Sequence, residues 1–167
     1  IPAPPPGAPV QRPVAQTPAG SVAREPALPW PAWLGVLACG AFAIGAGLDW
    51  FDAGGFSASA FDIPIASLVS DTAFEGLSIA VVLVVLAALG VAVALLAPRV
   101  GALATAFLIV GALAVLIVAW YLVRVLTSDG GSASLLAVGY WVALAGAVLT
   151  LVSAFALLPY RRRPRAA

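Results

Sequence analysis

SIAVVLVVLAALGVAVALLAPRVGALATAFLIVGALAVLIVAWYLV, residues 78–123, is the stretch that decides the fold. It contains one charged residue, Arg99, which lies in the short segment PRVG at 98–101. About 20 mainly apolar residues are enough to cross the ~30 Å hydrocarbon core of a bilayer. The stretch therefore predicts two spanning helices, 78–97 and 102–123, joined by a tight turn in which Pro98 ends the first helix. So short a turn requires antiparallel neighbours.

Two further apolar segments, about 32–51 and 135–158, have the same character, and neither carries a charge near its middle. With 63% hydrophobic and 9% charged residues, the 167-residue chain has more apolar side chain than a soluble fold of this size can bury. We therefore predict an all-α fold, an integral membrane four-helix bundle over 30–160. A longer loop at 52–77 is expected to join its first two helices.

The charged residues divide between the two sides of the predicted bundle. When the connecting segments are assigned alternately to the two sides, Arg collects on one side and acidic residues on the other. Arg-rich segments stay in the cytoplasm, so both termini of this multi-pass plasma-membrane protein are predicted to be cytoplasmic. The cytoplasmic side holds Arg12, Arg24, Glu25, Arg99, Arg161, Arg162, Arg163 and Arg165. The outer side holds Asp49, Asp52, Asp62, Asp71, Glu75, Arg124 and Asp129.

Residues 1–29 contain nine prolines and little apolar periodicity, which predicts an extended, Pro-rich cytoplasmic tail without a core. The tail either hangs unattached or lies along a partner surface, for which Pro4, Pro5 and Pro6 are the candidate contacts. Because the sequence opens on Ile rather than Met, we expect further residues before Ile1.

The basic tail at 161–167 is predicted to hold the end of the last helix in the cytoplasm. Its arginines are also candidate ligands for anionic lipid headgroups, at about 1 kcal/mol for each Arg near the surface. Nucleic-acid binding is not expected, because the cluster adjoins the bilayer. These candidate lipid ligands are Arg161, Arg162, Arg163 and Arg165.

Aromatic residues mark both ends of the predicted spans, where amphipathic rings favour the headgroup level. We predict two sets at these two levels. The cytoplasmic set is Trp30, Trp33 and Tyr160, and the outer set is Trp50, Phe51, Trp120 and Tyr121.

Small residues recur at every fourth position in the first and last spans, a pattern that lets helix backbones approach closely. We predict that these stripes pack helices together, either within the bundle or against a neighbouring protein. The stripe of the first span is Gly35, Cys39, Ala43 and Gly47, and that of the last span begins with Gly139, Ala143 and Ala147.

Little in the sequence suggests chemistry. It has no His, no Met and a single Cys, which excludes disulfide frameworks and His/Cys metal sites within the chain. The polar residues deep within the spans are Cys39, Thr105, Thr150 and Ser153, and no acid, His or Arg that would mark a proton relay or ion path lies at mid-depth. We expect no enzymatic activity, no cofactor and no metal.

Arg124 is the one basic residue on the acidic side of the predicted bundle. Two explanations stand. It forms an ion pair with Asp49 or Asp129, or its long side chain reaches outward to lipid headgroups. The candidate pair is Asp49 with Arg124.

The stretch FDIPIASLVSD at 61–71 predicts a short amphipathic helix of about two turns in the outer loop. Asp62 is a candidate cap, and Pro64 falls in the first turn. Thr72 and Glu75 then have capping-box spacing before the second span. Two turns are marginal alone, so the bundle, lipid or another subunit must cover the apolar face. That face, our candidate for partner binding, is Ile65, Leu68 and Val69.

The whole pattern resembles small four-span membrane proteins of actinobacteria. It combines a Pro-rich head, a first span that ends in Trp, a longer first outer loop and the phrase GYWVALAGAVLTL at 139–151. Some of those proteins are accessory subunits of respiratory or cell-envelope transport complexes. Claudin-like proteins share the topology, but the paired outer-loop cysteines expected of them are missing here.

These observations predict a non-catalytic accessory or assembly subunit of a larger plasma-membrane complex. A respiratory supercomplex or an envelope transport machine is the expected host, with larger integral membrane subunits and membrane lipids as partners. The alternative is a carrier or channel component for a lipid or a small apolar solute, with its path between helices or protomers.

Overall fold

A computed structural model describes residues 28–69, 76–128 and 131–159. The helices are α1 (Trp30–Gly47), α2 (Ile79–Leu96), α3 (Ala102–Thr127) and α4 (Val138–Leu157). A β-hairpin of β1 (Asp49–Ala53) and β2 (Phe56–Ser59) follows α1, and two 3-10 turns cover Ile65–Leu68 and Ala133–Leu135. All four α-helices are long and apolar enough to cross a membrane, which confirms the four predicted helical segments.

The four helices form a closed ring of neighbours. α1 packs against α4 and α2, and α3 packs against α4 and α2. The short turn at 97–101 makes α2 and α3 antiparallel. The contacts show this arrangement, since a Cβ added at Gly90 would lie 3.6 Å from Val110 and 3.8 Å from Phe107. Residues at similar distances from the turn therefore stand at similar heights in the two helices.

Large side chains fill the middle of the bundle, and small ones line the α1–α4 seam. Phe42, Phe107, Leu83 and Leu157 are among the largest fully buried side chains. Where α1 meets α4, the backbones themselves come into contact. A Cβ at Gly45 would lie 2.4 Å from the Ala143 nitrogen, so only glycine fits at this crossing.

The hairpin after α1 corrects the all-α prediction. The run at 52–59 falls in the segment that was predicted as a loop, and instead β1 and β2 pair in antiparallel register. Gly54 and Gly55 form the two-residue turn with φ of 58° and 108°, the left-handed conformation that such hairpins require. α1 consequently ends at Gly47 rather than near residue 51.

α3 is the longest helix and continues to Thr127, beyond the predicted end at 123. Its 26 residues span about 39 Å, whereas the 18 residues of α2 span about 27 Å. Because α2 ends and α3 begins at the same turn, the last two turns of α3 extend about 12 Å past the beginning of α2. This projecting end of α3 positions the loop described next.

Candidate functional site

The described part of the loop between α1 and α2, residues 48–69 and 76–78, folds into a cap over one end of the bundle. The hairpin is tied to the segment that precedes α4, because Phe51 pairs with Leu136 and the Ala137 nitrogen donates to the Trp50 carbonyl at 3.0 Å. The α1–α2 loop and the segment between α3 and α4 therefore form one folded unit at this end of the bundle.

A second set of backbone hydrogen bonds fastens the cap to the start of α2. The Ala80 nitrogen donates to the Ala60 carbonyl at 3.0 Å, and the Ile79 nitrogen donates to the Ile63 carbonyl at 2.8 Å. The Ile65 nitrogen donates to the Leu77 carbonyl at 2.8 Å. α2 itself begins at the Ser78 cap, whose Oγ accepts from the Val81 nitrogen. The predicted capping box at Thr72 and Glu75 lies outside the described residues.

Three aromatic rings close the bundle beneath the cap. Trp50 and Tyr140 are fully buried, and Tyr121 nearly so. The Trp50 centroid lies 5.2 Å from that of Tyr121 and 5.6 Å from that of Tyr140, both edge to face. Trp50 Nε1 donates to the Gly45 carbonyl at 2.8 Å, and the Tyr140 hydroxyl donates to the Val118 carbonyl at 3.2 Å.

This cluster corrects the predicted positions of two aromatic residues. Trp50 and Tyr121 were expected at the headgroup level, yet both rings face into the bundle. Hydropathy shows the depth of an aromatic residue but not the direction in which it points. Trp120, in contrast, is half exposed, and the aromatic pair at the end of α3 thus has one ring inside and one outside.

The predicted two-turn amphipathic helix is wrong. The structure has one 3-10 turn at Ile65–Leu68, with Pro64 in extended conformation before it. Asp62 does not cap this turn. Its Oδ2 instead accepts from the nitrogen and the hydroxyl of Ser59, at 2.9 and 2.8 Å, and these bonds, chiefly that of the hydroxyl, lower the pKa of Asp62.

The 3-10 turn rests on the projecting end of α3. Trp120 Nε1 donates to the Leu68 carbonyl at 2.9 Å, and Arg124 Nη2 donates to the Ser67 carbonyl at 3.4 Å. Two carbonyls left over by the short turn thus find donors on the helix beside it. The chain's own bundle therefore supports this segment.

The three candidate partner-binding residues are divided by this arrangement. Leu68 is 7% exposed and belongs to the core, and Ile65 is half-buried against that core. Val69 is 87% exposed. Leu68 and Ile65 thus pack within the chain, and partner binding through Val69 stays a prediction.

The Arg124 guanidinium lies beside the cap, and the bond to the Ser67 carbonyl shows where it points. Asp49 begins β1, where it pairs with Ser59. An ion pair between Asp49 and Arg124 stays a prediction, and Asp129 lies outside the described residues.

The α1 stripe turns out to wind around the helix. Gly35 and Cys39 are buried, Ala43 is half-buried and Gly47 is exposed. Steps of four residues advance about 40° around a 3.6-residue helix, so three steps carry the stripe from the inside to the outside. The buried face follows mixed spacing instead, through Gly35, Ala38, Cys39, Phe42, Gly45 and Ala46.

On α4 the predicted stripe stays on the buried side, with Gly139, Ala143 and Ala147 all buried. A Cβ at Gly139 would lie 2.6 Å from the Asp49 carbonyl oxygen. Gly146, which the four-residue spacing omitted, also approaches the α1 backbone closely, since its Cβ would lie 2.5 Å from the Phe42 nitrogen. The last helix is therefore shaped to fit the first.

The buried polar side chains of the bundle make hydrogen bonds within or between its helices. Thr150 Oγ1 donates to the Gly146 carbonyl at 2.8 Å and lies 3.7 Å from Cys39 Sγ. Ser153 Oγ donates to the Pro31 carbonyl. Among the described residues, no buried side-chain nitrogen or oxygen lacks a hydrogen-bond partner, and no group of three or more His, Cys, Asp or Glu could hold a metal ion.

Several predicted contact residues lie outside the described residues. They are Pro4, Pro5 and Pro6 in the proline-rich tail and Arg161, Arg162, Arg163 and Arg165 in the basic tail.

Comparison with known proteins gives this chain no relative. No family model, no curated protein and no solved structure matches it. The resemblance to small actinobacterial four-span proteins stays a prediction, and function has to be inferred from the chain's own geometry.

Proposed function

We propose that the chain is an integral protein of the plasma membrane, with both termini in the cytoplasm. We further propose that it is a non-catalytic accessory or assembly subunit of a larger membrane complex. The membrane location is supported by four helices of sufficient length and apolarity. The orientation is supported by the distribution of Arg in the sequence, since seven of the eight lie on the side of Arg99, and only Arg124 lies at the cap end with Asp49, Asp52 and Asp62.

The observation that carries the accessory role is the outward face of α1. Its residues, all exposed except the half-buried Gly40, recur at intervals of four and three, the seam spacing by which one helix packs along another. The face carries three large apolar side chains and two glycines. The outward face consists of Trp33, Leu37, Gly40, Ile44 and Gly47.

Among the described residues, nothing packs against the two glycines of this face. A Cβ at Gly40 or Gly47 would meet no atom within 4 Å, whereas one at Gly45 or Gly146 would meet the backbone of another helix. Glycine in a helix costs about 1 kcal/mol relative to alanine. Small residues between larger ones are typical of surfaces against which a second membrane helix packs closely. The outward face of α1 is therefore the proposed docking face for a helix of a larger subunit.

The other proposed contacts follow from the charges and the tails. The Pro-rich tail would lie along a cytoplasmic surface of the partner, and the basic tail would bind anionic lipid headgroups. The interior favours this role over a carrier, because Phe42, Phe107 and Leu83 fill the described centre of the bundle. A respiratory supercomplex or an envelope transport machine is the proposed host.

The test is purification of the full chain from its native membrane in mild detergent, followed by mass spectrometry of co-purifying chains. We expect large subunits in fixed stoichiometry with the wild-type chain and their loss with Gly40→Leu or Gly47→Leu. Ala88→Leu is the matched control, since Ala88 is an exposed small residue on α2.

Thermal unfolding of each purified variant in detergent verifies that the bundle itself is intact. Recovery of only a homo-oligomer would contradict the accessory role. Equal retention of partners by the Gly47→Leu and Ala88→Leu chains would contradict the docking face on α1.

A further inference from the structure

Large apolar side chains are exposed on the cap as well as on the helices. Phe61 is 52% exposed, Leu77 is 55% exposed and Val69 is 87% exposed. None of them belongs to an α-helix, so the apolar lateral surface of the spans does not account for them. Each adjoins a residue that connects the cap to α2 or α3, and this fixes its height, that is, its position along the bundle axis.

The height follows from the antiparallel α2–α3 pair. Gly90 faces Phe107 and Val110, so the first residue of α2 stands level with about residue 119 of α3. Trp120 is therefore level with the beginning of α2, and its Nε1 bond to the Leu68 carbonyl places the adjoining Val69 at that level too.

The other two side chains are fixed at the same level from the α2 side. Leu77 directly precedes the Ser78 cap of α2, and Phe61 follows Ala60, whose carbonyl accepts from the Ala80 nitrogen. Phe61, Val69 and Leu77 thus all stand within about one helical turn of the beginning of α2. With Trp120, which is 50% exposed, they form an apolar rim.

In the proposed bilayer, that level matches the boundary of the hydrocarbon core. The 18 residues of α2 span about 27 Å, close to the ~30 Å thickness of the core, and the headgroup regions add about 5–7 Å on each side. Trp favours this layer. The layer also accommodates the exposed Asp62 beside Phe61, which the hydrocarbon core would not.

We propose that the apolar rim of Phe61, Val69, Leu77 and Trp120 binds the headgroup layer of the bilayer leaflet on the cap side. The occupant is lipid, and the rim holds the 3-10 turn down at the membrane surface. This inference rests on the proposed membrane location but not on the proposed partner. It adds to the cap a lipid contact that the internal hydrogen bonds do not provide.

The test measures depth with nitroxide labels on the full chain in vesicles of phosphatidylethanolamine and phosphatidylglycerol. Single cysteines replace Phe61, Val69 or Leu77 in a Cys39→Ala chain, which has no other thiol. Leu89, exposed on α2, serves as the hydrocarbon control, and Ser57, exposed on β2, serves as the aqueous control. Collision rates with oxygen and with a water-soluble nickel chelate are compared at each site.

We expect the oxygen-to-nickel ratio at 61, 69 and 77 to fall between those of the two controls. A ratio equal to that at Ser57 would overturn the proposal, because the rim would then face water. Exclusion of both reagents would overturn it too, because protein would then cover the rim. A water-like ratio at Leu89 would refute membrane spanning itself. This experiment does not test the accessory role, since the vesicles contain no partner protein.

Discussion

The pair α1 and α4 and the pair α2 and α3 differ in how much of their surface is buried within the bundle. α1 and α4 bury 44% of their most apolar 18-residue windows, whereas α2 and α3 bury 33% and 28%. The better buried pair is also the less hydropathic one, which is the reverse of the trend in a soluble protein. In the proposed bilayer, apolar side chains gain little by leaving lipid, so the helices that pack best are those with the smallest residues.

The contacts show the same difference at atomic scale. A Cβ at Gly146 of α4 would meet the backbone of α1, at the Phe42 nitrogen, while one at Gly90 of α2 would first meet a side-chain atom, Cys39 Sγ. Backbone cannot move aside without separating the helices, whereas a side chain can rotate. Packing at the α1–α4 seam therefore tolerates less change than the contact of α2 with Cys39 of α1.

Gly146→Ala should give the largest loss of stability. The added Cβ would lie 2.5 Å from the Phe42 nitrogen, and overpacking of this kind costs about 1–3 kcal/mol. Gly40→Ala is the matched control, because the same methyl group there meets no atom within 4 Å. The free energy of unfolding of the purified chain in detergent measures both. Equal stability of the two variants would show that the α1–α4 seam is no tighter than the open face of α1.

Ser153→Ala should give an intermediate loss. It removes the hydrogen bond from α4 to the Pro31 carbonyl of α1, and such bonds between membrane helices contribute about 1 kcal/mol. Thr127→Ala is the comparison on α3, where the hydroxyl donates to the Val123 carbonyl of its own helix and is exposed. The same unfolding measurement is expected to show a near-zero change for Thr127→Ala. A larger effect there than at Ser153 would invert the contrast between the helix pairs.

The smallest contribution to the stability of the fold is expected from the Asp62 carboxylate in the cap. Its pKa lies below the ordinary 3.8 because Ser59 donates to the carboxylate. A lowered pKa means that this contribution to stability is present above pH 3.8 and is lost as the pH falls through the folded-state pKa. A carbon-13 NMR titration of the Asp62 carboxyl should show a higher pKa in a Ser59→Ala chain. Ser57→Ala in the same hairpin is the control and should leave that pKa unchanged.

The sequence was sufficient for the helices because their signal is local. The apolar runs on both sides of Arg99 predicted α2 and α3, and Pro98 marked the turn between them. The end of α1 was not predictable from hydropathy. Asp49 to Phe51 continue an apolar segment, but Trp50 is buried among Tyr121 and Tyr140, which come from distant parts of the chain.

The cap was mostly missed, for two physical reasons. Gly54 and Gly55 are a recognisable two-residue hairpin turn, but the short strands beside them lack the β-branched residues that usually indicate pairing. The periodicity of Ile65, Leu68 and Val69 suggested a helix with one apolar face. The turn was set instead by donors on α3, Trp120 and Arg124, which local spacing cannot reveal.

The close fit of α4 against α1 also bears on the order in which the chain is made. Ser153 and Pro31, joined by a hydrogen bond across that seam, are 122 residues apart. At ribosomal speeds of about 5–20 residues per second, α1 therefore waits roughly 6–25 s for its principal neighbour. During that interval its glycine-lined inner face is open to any other helix at the insertion site. The side of a newly synthesised α1 that will face α4 must remain unpaired, or pair reversibly, until the last helix arrives.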